Sequence, residues 1–542
     1  MISLLWPDGA ARQGAGGGRW AADLALDALV NALALSSRYT GVVRATLSAL
    51  CNDPHTIAYR QAILADLLAR PDLTAALEAA LPALATAAAA GTSHWADEAA
   101  IFQVAGRVAE LETYVGAVTG LHAALEAAAP PFAAAGWQAL QAYLAATTSS
   151  AAFQALAAEL PKLRARLEQA GSVTLGINLD AQLRPESATL LSVNSERFSG
   201  PRSLIGRLLG GERNGVAGLT PLRQASERQP FGPDRRLFLD LSELLAEVTR
   251  PVADALTRYA KISGAALAPL EGELAFYLGA ARLIGALRAE GYALCRPEIA
   301  PPDERLIAAD GLYNLDLALR LRARPPHDGA PPAVIANDVR FDAQGRIFVL
   351  TGPNRGGKTT YTRAIGQALA LAQAGLPVPA VSARLSPVDA IYTLFPAAEQ
   401  AQIGMGRLDE EAAQLAAIFR MATAHSLVLL NEPLGSTSPR EAMLIARDVL
   451  GGLRMLGARA LLVTHLHELA HEALALNDAI AGESRIACLI AGAVEHASGD
   501  AARTYRITPG TPDGRSYAVD IALAHGLELG QLERTLAERG IR

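Results

Sequence analysis

The sequence predicts an α + α/β protein: a mostly helical N-terminal part with a small β-containing insertion, then a C-terminal domain built on a parallel sheet. Two observations carry this expectation. Up to about residue 170, and again from about 237 to 320, apolar residues recur at helical spacing in alanine-rich stretches with few aromatics. Beyond residue 331, short apolar runs such as "RIFVL", "SLVLL" and "ARALLV" are each followed by a helical pattern, as expected of buried parallel strands with crossover helices.

A chain of 542 residues exceeds one ordinary core, so at least two domains are expected. With 51% hydrophobic and 19% charged residues it has the composition of a globular protein. A net charge of −6 speaks against wholesale coating of nucleic acid but leaves room for a local basic patch. Cys51, Cys295 and Cys488 lie far apart without metal-type spacing, which fits a reducing, cytoplasmic setting. The start, "MISLLWPDGAARQGAGGG", lacks the layout of a signal peptide. No membrane span is expected, since the most apolar stretch, "AALEAALPALATAAAAG", contains Glu78 and Pro82.

Texture divides the chain in order. Residues 1–18 read as a flexible glycine-rich leader and 19–172 as a helical core domain, interrupted at "LARPDLTAAL" and "AAAPPFAAAG". Residues 173–236 read as a strand and loop insertion, because "SVTLGINLDAQLRPESATLLSVNSERF" alternates apolar and polar residues. Between Glu196 and Arg236 eight arginines face four acids, so the insertion is either a solvated loop or a phosphate-contacting patch. Helical periodicity returns over 237–330, and the proline-rich "ARPPHDGAPPA" marks the boundary of an α/β domain over 331–542.

Within that domain "RIFVL" feeds into Gly352, Pro353, Asn354, Arg355, Gly356, Gly357, Lys358 and Thr359, the pattern G-x-x-x-x-G-K-[ST], and "TTYTRAIGQALALA" follows, opening on Thr359 and Thr360. Strand, glycine loop, helix is the context of a P-loop. Its backbone N–H groups and the helix N-terminus would surround a polyphosphate, making ATP the expected cofactor. Lys358 would reach the β- and γ-phosphates, and Thr359 would offer its hydroxyl to Mg²⁺. The bland alternative is a glycine-rich turn with a surface lysine. A second apolar run, "SLVLLNEPLGSTS", ends in Asn431 and Glu432. Glu432 suits a carboxylate that activates water, and Asn431 is an uncharged candidate on the metal side. A third run ends in "THLHE", where His465 is the candidate sensor of the γ-phosphate and His467 reads as a helix-start residue. The pair lacks the spacing of a zinc-protease helix.

These stretches, "TGPNRGGKTTYTR", "SLVLLNEPLGSTSPRE" and "LLVTHLHEL", in this order, resemble the ATPase domain of the DNA mismatch repair MutS family. "VIANDVRF", "AGLPVPA" and "PDGRSYAVDIALAHGL" add to the likeness, which covers about the last 210 residues; upstream, "TIAYRQAILADLL" resembles the family's core and lever region. The resemblance implies an ABC-type P-loop ATPase domain, Mg²⁺-dependent ATP hydrolysis, an adenine-side position for Asn337, and a homodimer. It places Gly435, Ser436, Thr437 and Ser438 at the dimer interface. It also implies DNA as a partner, with Arg197, Arg202, Arg207 and Arg213 in a clamp-like insertion.

Three departures qualify it. None of the eleven phenylalanines is followed two residues later by glutamate, so direct mismatch reading is not expected, and neither is a C-terminal nuclease module. An asparagine, Asn431, stands where the family has aspartate, which implies weaker Mg²⁺ anchoring and slow turnover. "GMGRLDEEAAQL" replaces the Ser-Thr signature facing the partner's nucleotide, leaving Arg407 as the electrostatic substitute. The competing expectation is an ATP-gated scaffold that binds proteins rather than DNA. A transporter-type ATPase is disfavoured, since no Leu-Ser-Gly-Gly-Gln signature follows the P-loop.

Overall fold

The computed structural model describes residues 2–7, 18–92, 100–128, 131–168, 172–182, 185–196, 249–323, 334–396, 406–495, 501–511 and 526–541. The chain forms two compact units, one of residues 75–130 and 139–271, the other of residues 1–74, 131–138 and 272–542.

The first unit is helical with one hairpin. Helices Ala100–Ala127 and Ala151–Glu168 enclose Val108, Leu111, Leu156, Leu160 and Leu163, which pack with Val252, Leu256 and Tyr259. Glu110 ties this core to the following turn, accepting from Ser263 Oγ at 2.9 Å and Gly264 N at 3.2 Å. The alternating stretch of the insertion forms β1 (Ser172–Leu179) and β2 (Pro185–Asn194), paired antiparallel. Helix Pro71–Thr92 is the one helix among the described residues long and apolar enough, by length and composition alone, to cross a membrane. Pro82 sits inside it without ending it. Within this unit Leu77, Leu81, Leu84 and Ala88 are buried along one stripe, as in a core-facing helix.

The second unit holds two sheets. The smaller has the order β3-β7-β4-β5, with β3 (Glu298–Ile299), β4 (Ile307–Leu312), β5 (Asn337–Phe341) and β7 (Ser382–Leu385). Residues 298–312, grouped with helices on sequence texture, thus supply two short strands. Their burial alternates over only six positions, too few to stand out in the sequence. The larger sheet adds β6 (Ile347–Thr351), β8 (Ile391–Leu394), β9 (Leu427–Asn431), β10 (Arg459–Val463), β11 (Ile486–Glu495) and β12 (Ala501–Pro509). Its order is β12-β11-β6-β10-β9-β8, parallel throughout except for β12. Every residue of β6, β9 and β10 is buried, which is why these strands read as unbroken apolar runs. Val349, Val428, Leu430 and Leu462 share a core with Leu450 and Leu453 of helix Pro439–Leu456 and Leu469 and Leu476 of helix His467–Ala479.

Residues 3–6, assigned to the flexible leader, are pinned; residues 8–17 lie outside the described residues. Ser3 Oγ and Leu4 N donate to Glu273 at 2.6 and 2.5 Å, and Tyr59 and Tyr277 hydroxyls donate to Ser3 O and Leu4 O, both at 2.8 Å. Arg60, fully buried, donates to Leu5 O at 2.8 Å and to Gln373 O at 3.0 Å, and its guanidinium stacks 4.4 Å from the Trp6 ring.

Candidate functional site

At the carboxyl end of β6 the chain turns through 352–357 into helix Lys358–Gln373. The turn needs its glycines. Gly352 and Gly357 have φ of +133° and +90°, and a Cβ on Gly352 would lie 2.8 Å from Ala491 Cβ and 2.9 Å from Ala491 O. Arg355 occupies the left-handed region as well, at φ +60°. Gly357 caps the helix without any side-chain acceptor, so the first-turn N–H groups stay open to an anion. Lys358 is buried, and its Nζ donates to Gly352 O at 2.9 Å and Pro353 O at 3.0 Å. Burial lowers its pKa, and nearby Glu432 works the other way.

The ends of β9 and β10 meet this loop. β10 lies between β6 and β9, so the Asn431 strand is one strand removed from the loop strand. Even so, Thr359 Oγ1 donates to Asn431 Oδ1 at 3.2 Å. Glu432 follows at φ +53°, a strained backbone for a non-glycine residue, held by its N–H to Val463 O at 2.9 Å. Its Oε1 lies 2.6 Å from His465 Nε2. The His465 hydrogen bond lowers the Glu432 pKa, with the charges of His465 and Lys358 adding to it against burial. His467 opens helix His467–Ala479; burial lowers its pKa, and its Nδ1 is buried without a partner.

Loop, Glu432 and neighbours line a cavity of about 810 Å³. Asn354 to Thr360 form its polar end, and Leu312, Tyr313, Leu317, Leu321, Val334 and Ile335 its apolar wall. Asn337 lines it too, but its amide is engaged: Nδ2 donates to Tyr505 O at 3.1 Å and Oδ1 accepts from Ile507 N at 2.7 Å. Tyr505, at φ +54° on β12, flanks Gly357. The wall residues and Tyr505 escape sequence reasoning; the only signal is the apolar alternation around "GLYNLDLAL".

The remaining candidates stand apart. Gly435, Ser436 and Ser438 are exposed, and Ser438 caps helix Pro439–Leu456 while Thr437 and Ser438 hydroxyls donate to Glu441 at 2.6 and 2.8 Å. Arg407 pairs with Glu411 at 3.3 Å, whose other oxygen accepts from Leu434 N at 2.7 Å. Arg197, Arg202, Arg207 and Arg213 lie outside the described residues. Among the described residues no group of three or more His, Cys, Asp or Glu is placed to hold a metal ion. Thr359 and Asn431 offer oxygen donors of the kind Mg²⁺ takes alongside phosphate and water, both uncharged.

Two family descriptions match the chain: "MutS2 N-terminal domain" over residues 52–290 and "MutS domain V" over 348–534. The chain belongs to the MutS family. The MutS domain V match takes in the loop from Gly352 to Thr360, Asn431, Glu432 and His465, and begins after Asn337. Among curated MutS relatives, "DNA mismatch repair protein MutS" of Chlorobium phaeobacteroides is 32% identical over 281 residues, 51% of this chain and 28% of that protein. "DNA mismatch repair protein MutS 2" of Halobacterium salinarum is 40% identical over 147 residues, 27% of this chain and 17% of its own length. The matched part spans less than a third of the length of these MutS relatives.

Proposed function

We propose that this MutS-family chain is an ATP-driven switch that changes its association with DNA, in repair or recombination, without reading mismatches directly. The observation that carries the reading is that the glycine loop, Thr359 and Glu432 line one cavity, with Asn431 bonded to Thr359 and His465 to Glu432 behind them, on the carboxyl edge of a parallel sheet. In this reading the unit with the six-stranded sheet is an ABC-type P-loop ATPase domain. ATP lies with its phosphates over residues 352–360 and its base against the apolar wall.

Lys358 leaves the Gly352 and Pro353 carbonyls for the β- and γ-phosphates, a move favoured because burial disfavours its charge until an anion arrives. Thr359 and Asn431 would hold Mg²⁺, which would supply charge neutralisation at the phosphates during turnover. Glu432 releases His465, accepts a proton from the attacking water, and the water oxygen bonds to the γ-phosphorus as the bond to the bridging oxygen breaks. His465 turns to the γ-phosphate. Turnover is slow because Asn431 brings no charge to the metal side. Two copies close on the nucleotide through Gly435 to Ser438, with Arg407 as the cross-subunit cation, and closure alters the hold of the arginine-rich insertion on DNA.

The test is a pair of variants. Lys358→Ala should lose nucleotide binding, whereas Glu432→Gln should bind and not turn over. A Glu432→Gln protein that hydrolyses ATP at the parental rate refutes the assignment. DNA binding that is absent, or unaffected by ATP and salt, turns the reading toward a protein-binding scaffold.

A further inference from the structure

The charges facing the cavity are unbalanced. Of its described lining residues only Arg355, Lys358 and Glu432 are charged, and the Glu432 carboxylate is engaged by His465. The side chain that receives the Thr359 hydroxyl is the Asn431 amide. Among the described residues a divalent ion beside Thr359 therefore meets no carboxylate other than the His465-bound Glu432, while a phosphate finds two cations. Arg355 sits inside the loop between Asn354 and Gly356, exposed, lining the cavity, and without an ion-pair partner among the described residues. Its guanidinium presents a fork that matches two phosphate oxygens at once and does not lose its proton.

Resting on the nucleotide-site reading, we infer that Arg355 is a second phosphate-binding cation which, with Lys358, supplies the main counter-charge for the triphosphate. Nucleotide binding is then nearly independent of Mg²⁺, and the metal matters for turnover. The amide at 431 belongs to the same arrangement. An aspartate there would attract the ion but repel a metal-free triphosphate, so the uncharged side chain costs little where arginine and lysine already hold the phosphates.

The experiment titrates a fluorescent, non-hydrolysable ATP analogue into the full chain, in Mg²⁺ and in EDTA. The parent should bind within about threefold in the two buffers, and Arg355→Met should bind about tenfold or more weakly in EDTA with a smaller loss in Mg²⁺. Arg355→Lys, which keeps the charge at the same backbone position, should restore most of the EDTA affinity. Asn431→Asp should weaken binding in EDTA and strengthen it in Mg²⁺, opening a gap of about tenfold. A parent that loses about tenfold or more in EDTA overturns the inference, as does an Arg355→Met loss that is absent or equal in both buffers. No binding by the parent in either buffer overturns the nucleotide site itself, a separate and visible outcome.

Discussion

Gly279 and Gly285 lie six residues apart on one helix, Ala268–Ala289, and helix propensity treats them alike: alanine at either should gain about 1 kcal/mol. The packing treats them oppositely. A Cβ on Gly279 would stand 1.9 Å from Leu33 O and 3.1 Å from Leu33 C, both backbone atoms, whereas Gly285 has nothing within 4 Å of that position. Reaching ordinary contact would require the Leu33 carbonyl to retreat by about 1.5 Å, and such overpacking costs about 1–3 kcal/mol. The retreat is resisted, because Leu33 ends helix Leu26–Leu33 and Arg282 holds the next carbonyl, Ala34 O, at 3.1 Å.

Subtracting the propensity gain, Gly279→Ala should destabilise the unit by up to about 2 kcal/mol, and Gly285→Ala should stabilise it by about 0.5–1 kcal/mol. Urea unfolding followed by tryptophan fluorescence reads the right unit, since Trp6, Trp20 and Trp137, three of the four tryptophans, belong to it. If both variants shift the midpoint in the same direction by similar amounts, the close approach of helix and Leu33 carbonyl is wrong.

Arg60→Met should cost about 3 kcal/mol, because it leaves the Leu5 and Gln373 carbonyls without their charged donor while relieving part of the burial cost of the guanidinium. Amide exchange at residues 4–6 should speed up with it, and unchanged exchange would count against Arg60 pinning them. Asp53 caps helix Pro54–Ala69, accepting from Thr56 N at 2.9 Å, Thr56 Oγ1 at 2.6 Å and His55 N at 3.3 Å, so Asp53→Ala should cost about 1 kcal/mol at neutral pH. The Thr56 hydroxyl bond leads in holding the Asp53 pKa below its usual 3.8. This contribution is therefore complete above that value and lost as pH falls through the lower folded one. Parent and Asp53→Ala midpoints that fail to converge in acid would refute the cap.

The arrangement of the site was legible because it is local. Strand, glycine turn and helix follow one another in ten residues, and each further polar group closes an unbroken apolar run. What stayed hidden is what distant strands bring. Asn337 could be expected near the cavity only through the resemblance of "VIANDVRF" to the MutS family. That its amide is consumed by Tyr505 O and Ile507 N depends on β12, some 170 residues on, whose pairing to β11 carries no signature at position 337. The strand order hid for the same reason. β9 and β10 are equally apolar runs, and nothing in either says which of them sits against β6.

The same division separates two properties of the nucleotide site. On the proposed reading, phosphate recognition would rest on backbone amides and on Lys358, Thr359 and Arg355, all within one turn and its helix, and would survive any change of the walls that leaves the turn folded. Base recognition would rest on Leu312, Tyr313 and Leu317 from one side and Tyr505 from the other, groups set by how β4 and β12 dock around the loop. A mutation that loosens β12, such as Asn337→Ala, removes two hydrogen bonds to that strand without touching a phosphate ligand. It should therefore weaken ATP and GTP unequally, narrowing the preference between them, while Lys358→Ala weakens both alike. Equal losses for the two nucleotides in Asn337→Ala would mean that the apolar wall does not read the base.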